Sequence, residues 1–282
     1  MDVSENTNSL SQGRQGRVGL ILIAIFWPLN WMLPGLPTAY LFFPLWLGYI
    51  LVVDALVRAR SGTSIWTHSR KNFMRLFFLS APSWWLFEVV NWRTKNWEYL
   101  GGHNFSGVEH LVLSTISFST VMPAVFETAE LVRTFTWVKH FPAGPRIAPT
   151  RAISMTFLVV GLSMLALTLI WPKYCYPFVW GSVFLILEPS NIWSKRPHFL
   201  DHLKNGDWRP VISLSLGALI CGFFWEMWNY YSFPKWVYHT PGAEFLYIFE
   251  MPVLGYIGYI PFAWELFALR NLLSRNGPRL QL

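Results

Sequence analysis

Trp85-Leu86-Phe87-Glu88-Val89-Val90-Asn91 and Phe224-Trp225-Glu226-Met227-Trp228-Asn229 are the stretches on which the reading of this chain turns. Each sets Glu-x-x-Asn inside an apolar run. Each is followed by Trp-x-Tyr, at Trp97 and Tyr99 and again at Trp236 and Tyr238. Each then reaches Pro-x-x-x-Glu, from Pro123 to Glu127 and from Pro261 to Glu265. The paired glutamates lie 138 residues from their counterparts. Fainter echoes precede them, Pro44 with Asp54 and Pro177 with Glu188. Agreement in residue type, order and spacing is the mark of an internal duplication.

Working outward, the apolar runs around these motifs are long enough to cross a bilayer, which takes ~20 mostly apolar residues. The spacing predicts eight spans: Val18–Leu33, Tyr40–Val57, Phe73–Trp92, Val108–Val132, Ile153–Trp171, Tyr176–Ile192, Val211–Tyr231 and Glu244–Leu269. The fold class expected is therefore an all-α polytopic membrane protein of two parallel four-helix repeats. The expected organisation is a tail 1–17, a first repeat 18–132, a linker 133–152, a second repeat 153–270 and a tail 271–282. An even number of spans per copy makes both copies face the same way.

Composition agrees. Of 282 residues, 53% are hydrophobic and 13% charged, about half the charged share of a soluble domain. The net charge of +7 is dispersed in short clusters between apolar runs, which argues for membrane topology and against nucleic acid. With the N-terminus cytoplasmic, 18 of the 22 basic residues fall on the cytoplasmic side. Arg93, Lys95, Lys173 and Lys235 remain opposite. Both termini are thus expected inside a cell membrane (the inner one in a bacterium).

Eight acids sit in or at the ends of apolar runs: Asp54, Glu88, Glu127, Glu130, Glu188, Glu226, Glu250 and Glu265. A charged carboxylate at the bilayer centre costs several kcal/mol, and no Lys or Arg lies deep in a span to pair with it. Some of these acids are therefore expected to be uncharged and able to donate protons. The candidate catalytic set is Glu88, Asn91, Glu127, Glu226, Asn229 and Glu265. In each Glu-x-x-Asn the amide shares a helix face with the carboxylate and is expected to hold its rotamer. Helix-tying hydrogen bonds are the structural alternative. Pro123 and Pro261 are expected to kink their helices one turn before a glutamate.

The candidate substrate-binding set is Trp85, Trp97, Tyr99, Trp225, Trp228, Trp236, Tyr238, Glu250 and Trp264. Aromatic faces there suit a long apolar ligand or a cation. Most of the 17 tryptophans read as interfacial anchors. His110 reads more readily as structural than as a cofactor ligand. Cys175 and Cys221 form no metal motif, and neither GxGxxG nor a P-loop occurs. No metal or cofactor is expected.

At these residues the chain resembles the membrane lycopene-cyclase domains and the related membrane carotenoid hydratases. The shared pattern is an acid in an apolar helix, an aromatic-x-Tyr loop and a Pro/Glu helix, over Tyr40–Arg133 and Tyr176–Arg270. Glu88 and Glu226 match the acid of the middle helix; Glu127 and Glu265 match the glutamates of the Pro/Glu helix. The cyclases carry Pro-x-Glu-Glu where this chain has Pro-x-x-x-Glu, and each half here has an extra leading helix. The resemblance implies acid-catalysed cyclisation or hydration of a long isoprenoid or carotenoid-like lipid, without a cofactor. Two alternatives stay open: a proton-coupled transporter with its site between the repeats, and a non-catalytic subunit or assembly factor of a pigment-bearing membrane complex, bound to a membrane-protein partner.

Overall fold

A computed structural model describes residues 3–33 and 35–274, with the backbone alone for 3–12. Among the described residues, nine helices have twelve residues or more. They are α1 Val3–Met32, α2 Phe42–Ser61, α3 Arg70–Thr94, α4 Gly107–Phe118, α5 Val121–Arg133, α6 Arg151–Ile170, α7 Val179–Trp193, α8 Arg209–Tyr230 and α9 Tyr259–Leu273. Local chemistry sets several starts. The Ser69 side chain accepts from the Asn72 N–H before α3, and Thr150 does the same for Ile153 before α6. Ser106 and Glu109 form a reciprocal capping box before α4. Each cap satisfies an N–H that the first helical turn leaves without a partner.

Five segments are long and apolar enough to cross a membrane: Leu36–Ser61, Arg70–Thr94, Gly107–Arg133, Arg151–Ile170 and Arg209–Tyr230. The expected spans Val18–Leu33, Tyr176–Ile192 and Glu244–Leu269 are not among them, and three expected spans are not continuous helices. Val108–Val132 is interrupted at Ser119 and Thr120, between α4 and α5. Tyr176–Ile192 breaks at Trp180 and Gly181, where Gly181 adopts φ 142°, a backbone open to glycine. Glu244–Leu269 is helical only from Tyr259. Before it run two short strands, Tyr247–Ile248 and Met251–Pro252, and a 3₁₀ stretch Val253–Gly258. Pro252, Gly255 and Gly258 discourage a regular helix there. At 15 residues, α9 is about 22 Å long, and α7, of the same length but broken near its start, is shorter still as a continuous helix; both fall short of a ~30 Å hydrocarbon core. The expected N-terminal tail 1–17 is helical from Val3. Residues 1–2 and 275–282 of the two expected tails lie outside the described residues.

The prolines of the Pro-x-x-x-Glu motifs do not kink their helices. Pro123 is the third residue of α5 and Pro261 the third of α9. In a first turn the missing N–H has no intrahelical partner to lose, so proline starts a helix there.

The two halves pack by the same scheme. α1 lies on α2 as α6 lies on α7; α2 meets α5 as α7 meets α9; α3 meets α5 as α8 meets α9. Two of the features that join the halves position the site. The first is a close crossing of α5 and α8. A β-carbon on Gly217 would come within 2.8 Å of the Ala129 nitrogen, so glycine lets the backbones touch. The positions 138 residues away are Leu79 and Phe267, and their bulk keeps α3 and α9 further apart. The second is an antiparallel pair of strands, β1 Trp97–Leu100 and β2 Lys235–Tyr238, in register Trp97↔Tyr238 and Tyr99↔Trp236. These all-β contacts, absent from the sequence expectation, set one Trp-x-Tyr motif directly against the other.

Candidate functional site

The amides act on the strands rather than on the glutamates. Asn91 Nδ2 donates to the Trp97 carbonyl (2.8 Å), while its Oδ1 accepts from the N–H groups of Asn96 (2.9 Å) and Trp97 (3.3 Å). Asn229 repeats this with Trp236: Nδ2 donates to its carbonyl (2.7 Å), and Oδ1 accepts from its N–H (2.9 Å). The expected amide–carboxylate bond is replaced because an unpaired backbone at the helix end needs partners. The asparagines thus pin the two tryptophans that begin each Trp-x-Tyr.

That pinning delivers donors to the glutamates. Glu88 Oε1 accepts from Trp84 Nε1 (2.9 Å), Trp97 Nε1 (3.1 Å) and the Tyr99 hydroxyl (2.6 Å). Glu226 Oε1 accepts from the hydroxyls of Tyr238 and Tyr259, each at 2.7 Å. Trp236 Nε1 donates to the Tyr238 hydroxyl at 2.8 Å, so it reaches Glu226 through the phenol. Both glutamates are buried. Side-chain donors replace the water shell a carboxyl group would otherwise need. Burial, then the neighbouring glutamate, pushes the phenols of Tyr99 and Tyr238 well above their ordinary value. Both therefore stay protonated and keep donating.

The same donors face a cavity of about 500 Å³ between the halves. Its wall includes Trp84, Trp97 and Tyr99 from one half and Trp236, Tyr238 and Tyr259 from the other. Trp180, Trp225 and Phe262 supply further aromatic faces, and His110 and Asn96 polar points. Trp180 stacks on Phe87 at 5.5 Å and on Trp97 at 6.1 Å. Neither Glu88 nor Glu226 lines the cavity; each stands one hydrogen bond behind it.

Other expected site residues lie elsewhere. Glu265 Oε1 accepts from the Gly181 N–H at 2.7 Å, beside the N–H groups of Val183 and Phe184. It caps the restart of α7 after its break, a role that suits a carboxylate at a helix N-terminus. Glu127 is fully buried beside Asp54. Asp54 in turn accepts from Gln15 Nε2 at 3.0 Å and from the Trp66 N–H at 3.2 Å. Glu188 accepts from the Leu200 N–H at 3.1 Å. In both cases an acid caps a short helix twelve residues further on, which gives the faint echo between Asp54 and Glu188 a structural meaning. Glu250 forms an ion pair with Lys235. Trp85 donates to Thr115 (3.1 Å), Trp264 donates to Ser215 (3.0 Å), and Trp228 packs against Trp46; none of the three lines the cavity.

Sequence reasoning missed Trp84, Trp180, Tyr259 and Phe262. Trp84 was accessible, since it sits four residues before Glu88 on the same helix face. Tyr259 and Phe262 flank Pro261 but follow no repeated pattern. Among the described residues, no three His, Cys, Asp or Glu side chains converge as a metal site would require. Compared with known proteins, the chain matches no family model, no curated protein and no solved structure.

Proposed function

We propose that the cavity between the halves holds a long apolar, isoprenoid-like ligand and that the two Glu–Tyr pairs move protons at its wall. The observation that carries this reading is the placement of Glu88 and Glu226. Each is buried and one hydrogen bond from phenols in the wall of one aromatic cavity, Tyr99 for Glu88, Tyr238 and Tyr259 for Glu226. In the reaction, the hydroxyl of Tyr238 or Tyr259 turns from Glu226 to a terminal double bond of the ligand, gives up its proton there and takes one from the acid form of Glu226. The cation formed is sheltered by the faces of Trp225, Trp180 and Phe262. A new carbon–carbon bond closes a ring, and Tyr99 with Glu88 takes a proton back; or water adds before that loss. The net change is an isomerisation or a hydration, the chemistry of the cyclases and hydratases that the motifs resemble. Glu127 and Glu265 have no part in it.

The membrane setting of this reading is eight passes in two like-facing copies, the short α7 and α9 included. Both termini and the basic loops are on the cytoplasmic side of a cell membrane, and β1–β2 is on the other. The partners are the bilayer and the lipophilic ligand. α6, buried over only a small part of its apolar length, offers lipid or a membrane-protein partner an open face.

Expression in cells that accumulate lycopene is the test. A new cyclic or hydrated product, lost with Glu226→Gln, supports the proposal. Unchanged pigment together with an unchanged lipid profile contradicts it. A second reading, proton-coupled transport, is favoured by a separate polar pocket at the other end of the same seam. Proton-coupled uptake abolished by Glu226→Gln would select it.

A further inference from the structure

The helix α4 turns its polar side chains toward the aromatic cavity. His110, Ser114 and Ser117 follow the spacing of one helix face, and all three line the cavity. On its other faces Val108, Leu111, Val112 and Ile116 are exposed. Polar side chains inside a membrane bundle face its interior or a cavity and mark the path of a substrate.

The two serines differ from their neighbours. A serine or threonine within a helix can donate back to a carbonyl of the preceding turn. Thr115 does so to Leu111 and Ser119 to Ile116, each at 2.6 Å. The hydroxyls of Ser114 and Ser117 make no such bond. Neither they nor the His110 ring has a hydrogen-bond partner among the described residues. All three residues are half-buried, and their polar atoms keep open surface. The His110 ring stands edge-on to Tyr99, with centroids 6.2 Å apart. In the second half the positions 138 residues further on are Ile248, Pro252 and Gly255, so this polar face belongs to one half alone.

We propose that the lipid held in the cavity carries a hydroxyl group and that His110, Ser114 and Ser117 bind it. This rests on the isoprenoid-like ligand proposed above and names that ligand's polar group. A neutral imidazole offers one donor and one acceptor, and each serine hydroxyl offers both. Such a face suits an alcohol, which gives and takes a hydrogen bond. A phosphate or carboxylate would instead need a cation beside it. Lys235 is the one permanently charged side chain among the described lining residues, and it pairs with Glu250.

The experiment compares all-trans-retinol with the same polyene bearing a methyl group in place of its terminal CH2OH. Each is titrated into nanodiscs of zwitterionic lipid that carry the full chain. Quenching of tryptophan emission is read against the polyene's mole fraction in the bilayer. Retinol is expected to bind about tenfold more tightly than the hydrocarbon. The combined variant His110→Leu, Ser114→Ala and Ser117→Ala should keep the hydrocarbon's affinity, a sign that it folds, and lose the preference. The control His103→Gln, at an exposed position outside the cavity wall, should keep the preference. Should the combined variant bind neither polyene, Ser114→Ala with Ser117→Ala takes its place, with a reduced preference expected. Equal affinity for the two polyenes in the native chain overturns this proposal and leaves proton chemistry on a hydrocarbon standing. A preference that survives in the cavity variants overturns it as well. Binding of neither polyene by the native chain overturns both this proposal and the reading on which it rests.

Discussion

Gly222 makes the room that Tyr259 occupies: a β-carbon at residue 222 would lie 2.5 Å from the Tyr259 ring. The residue 138 positions earlier is Trp84, and the one matching Tyr259 is Val121. In the first half, a tryptophan on the glutamate's own helix donates to Glu88. In the second half, that helix carries glycine, and a tyrosine from the next helix donates to Glu226. The two halves thus solve one problem, a buried carboxyl group that needs donors, with different residues.

Gly222→Ala is expected to push Tyr259 off Glu226. Forcing a methyl group into packed space costs about 1–3 kcal/mol, and thermal unfolding in detergent measures it. Gly222→Trp combined with Tyr259→Val copies the first half and should recover stability relative to Gly222→Trp alone. A double variant no better than the single one would show that the halves are not interchangeable here.

The asparagines give a second prediction. Asn229→Ala removes both bonds to the Trp236 backbone and leaves a half-buried N–H and C=O without those partners, at a cost of about 1–3 kcal/mol. Hydrogen exchange should rise first at Trp236 and at its neighbours in β2. Asn91→Ala should do the same at Trp97. Loss of protection around the glutamates with the strands unchanged would mean that the amides hold the carboxyl groups after all.

The close crossing of α5 and α8 yields a third. Gly217→Leu gives α8 the residue found at the matching position of α3, against a backbone 2.8 Å from the first added carbon. The helices must separate, and a loss of about 1–3 kcal/mol is expected. Gly13→Leu, whose β-carbon would come no closer than 3.7 Å to Arg17, is the control and should be nearly neutral.

His198 makes stability depend on pH. The ring is buried, and burial, its largest influence, lowers its pKa below the ordinary 6.5. The unfolded chain therefore takes up the proton first. Stability is full above about pH 6.5 and falls as the pH drops toward the lower folded value. His198→Gln should flatten that part of the profile, as followed by unfolding in detergent at stepped pH.

What the sequence made legible followed from local chemistry. Period, length and basic loops outlined the long helices α2, α3, α6 and α8, and the repeated Glu-x-x-Asn and Trp-x-Tyr marked the elements that meet at the cavity. The pairing of β1 with β2 was hidden because it joins residues 141 apart in the chain, Trp97 and Tyr238. Proline at the third position of a helix looks, in sequence, like proline at a kink. The roles of Glu127 and Glu265 were hidden for a related reason. A carboxyl group that caps a broken helix or lies beside Asp54 has the same one-dimensional signature as one that meets a ligand. Trp180 and Phe262 reach the cavity only through the break in α7 and the late start of α9.

The most direct measurement is energy transfer from the protein's tryptophans to a long polyene titrated into nanodiscs that carry the full chain. Trp84, Trp97, Trp180, Trp225 and Trp236 all line the cavity, so saturable quenching with a one-to-one endpoint is predicted. It should be abolished by Leu113→Trp, which fills the cavity from its wall, and kept by Val159→Trp on the exposed face of α6. Quenching that rises without saturation, or that is equal in the two variants, would contradict a ligand held between the halves.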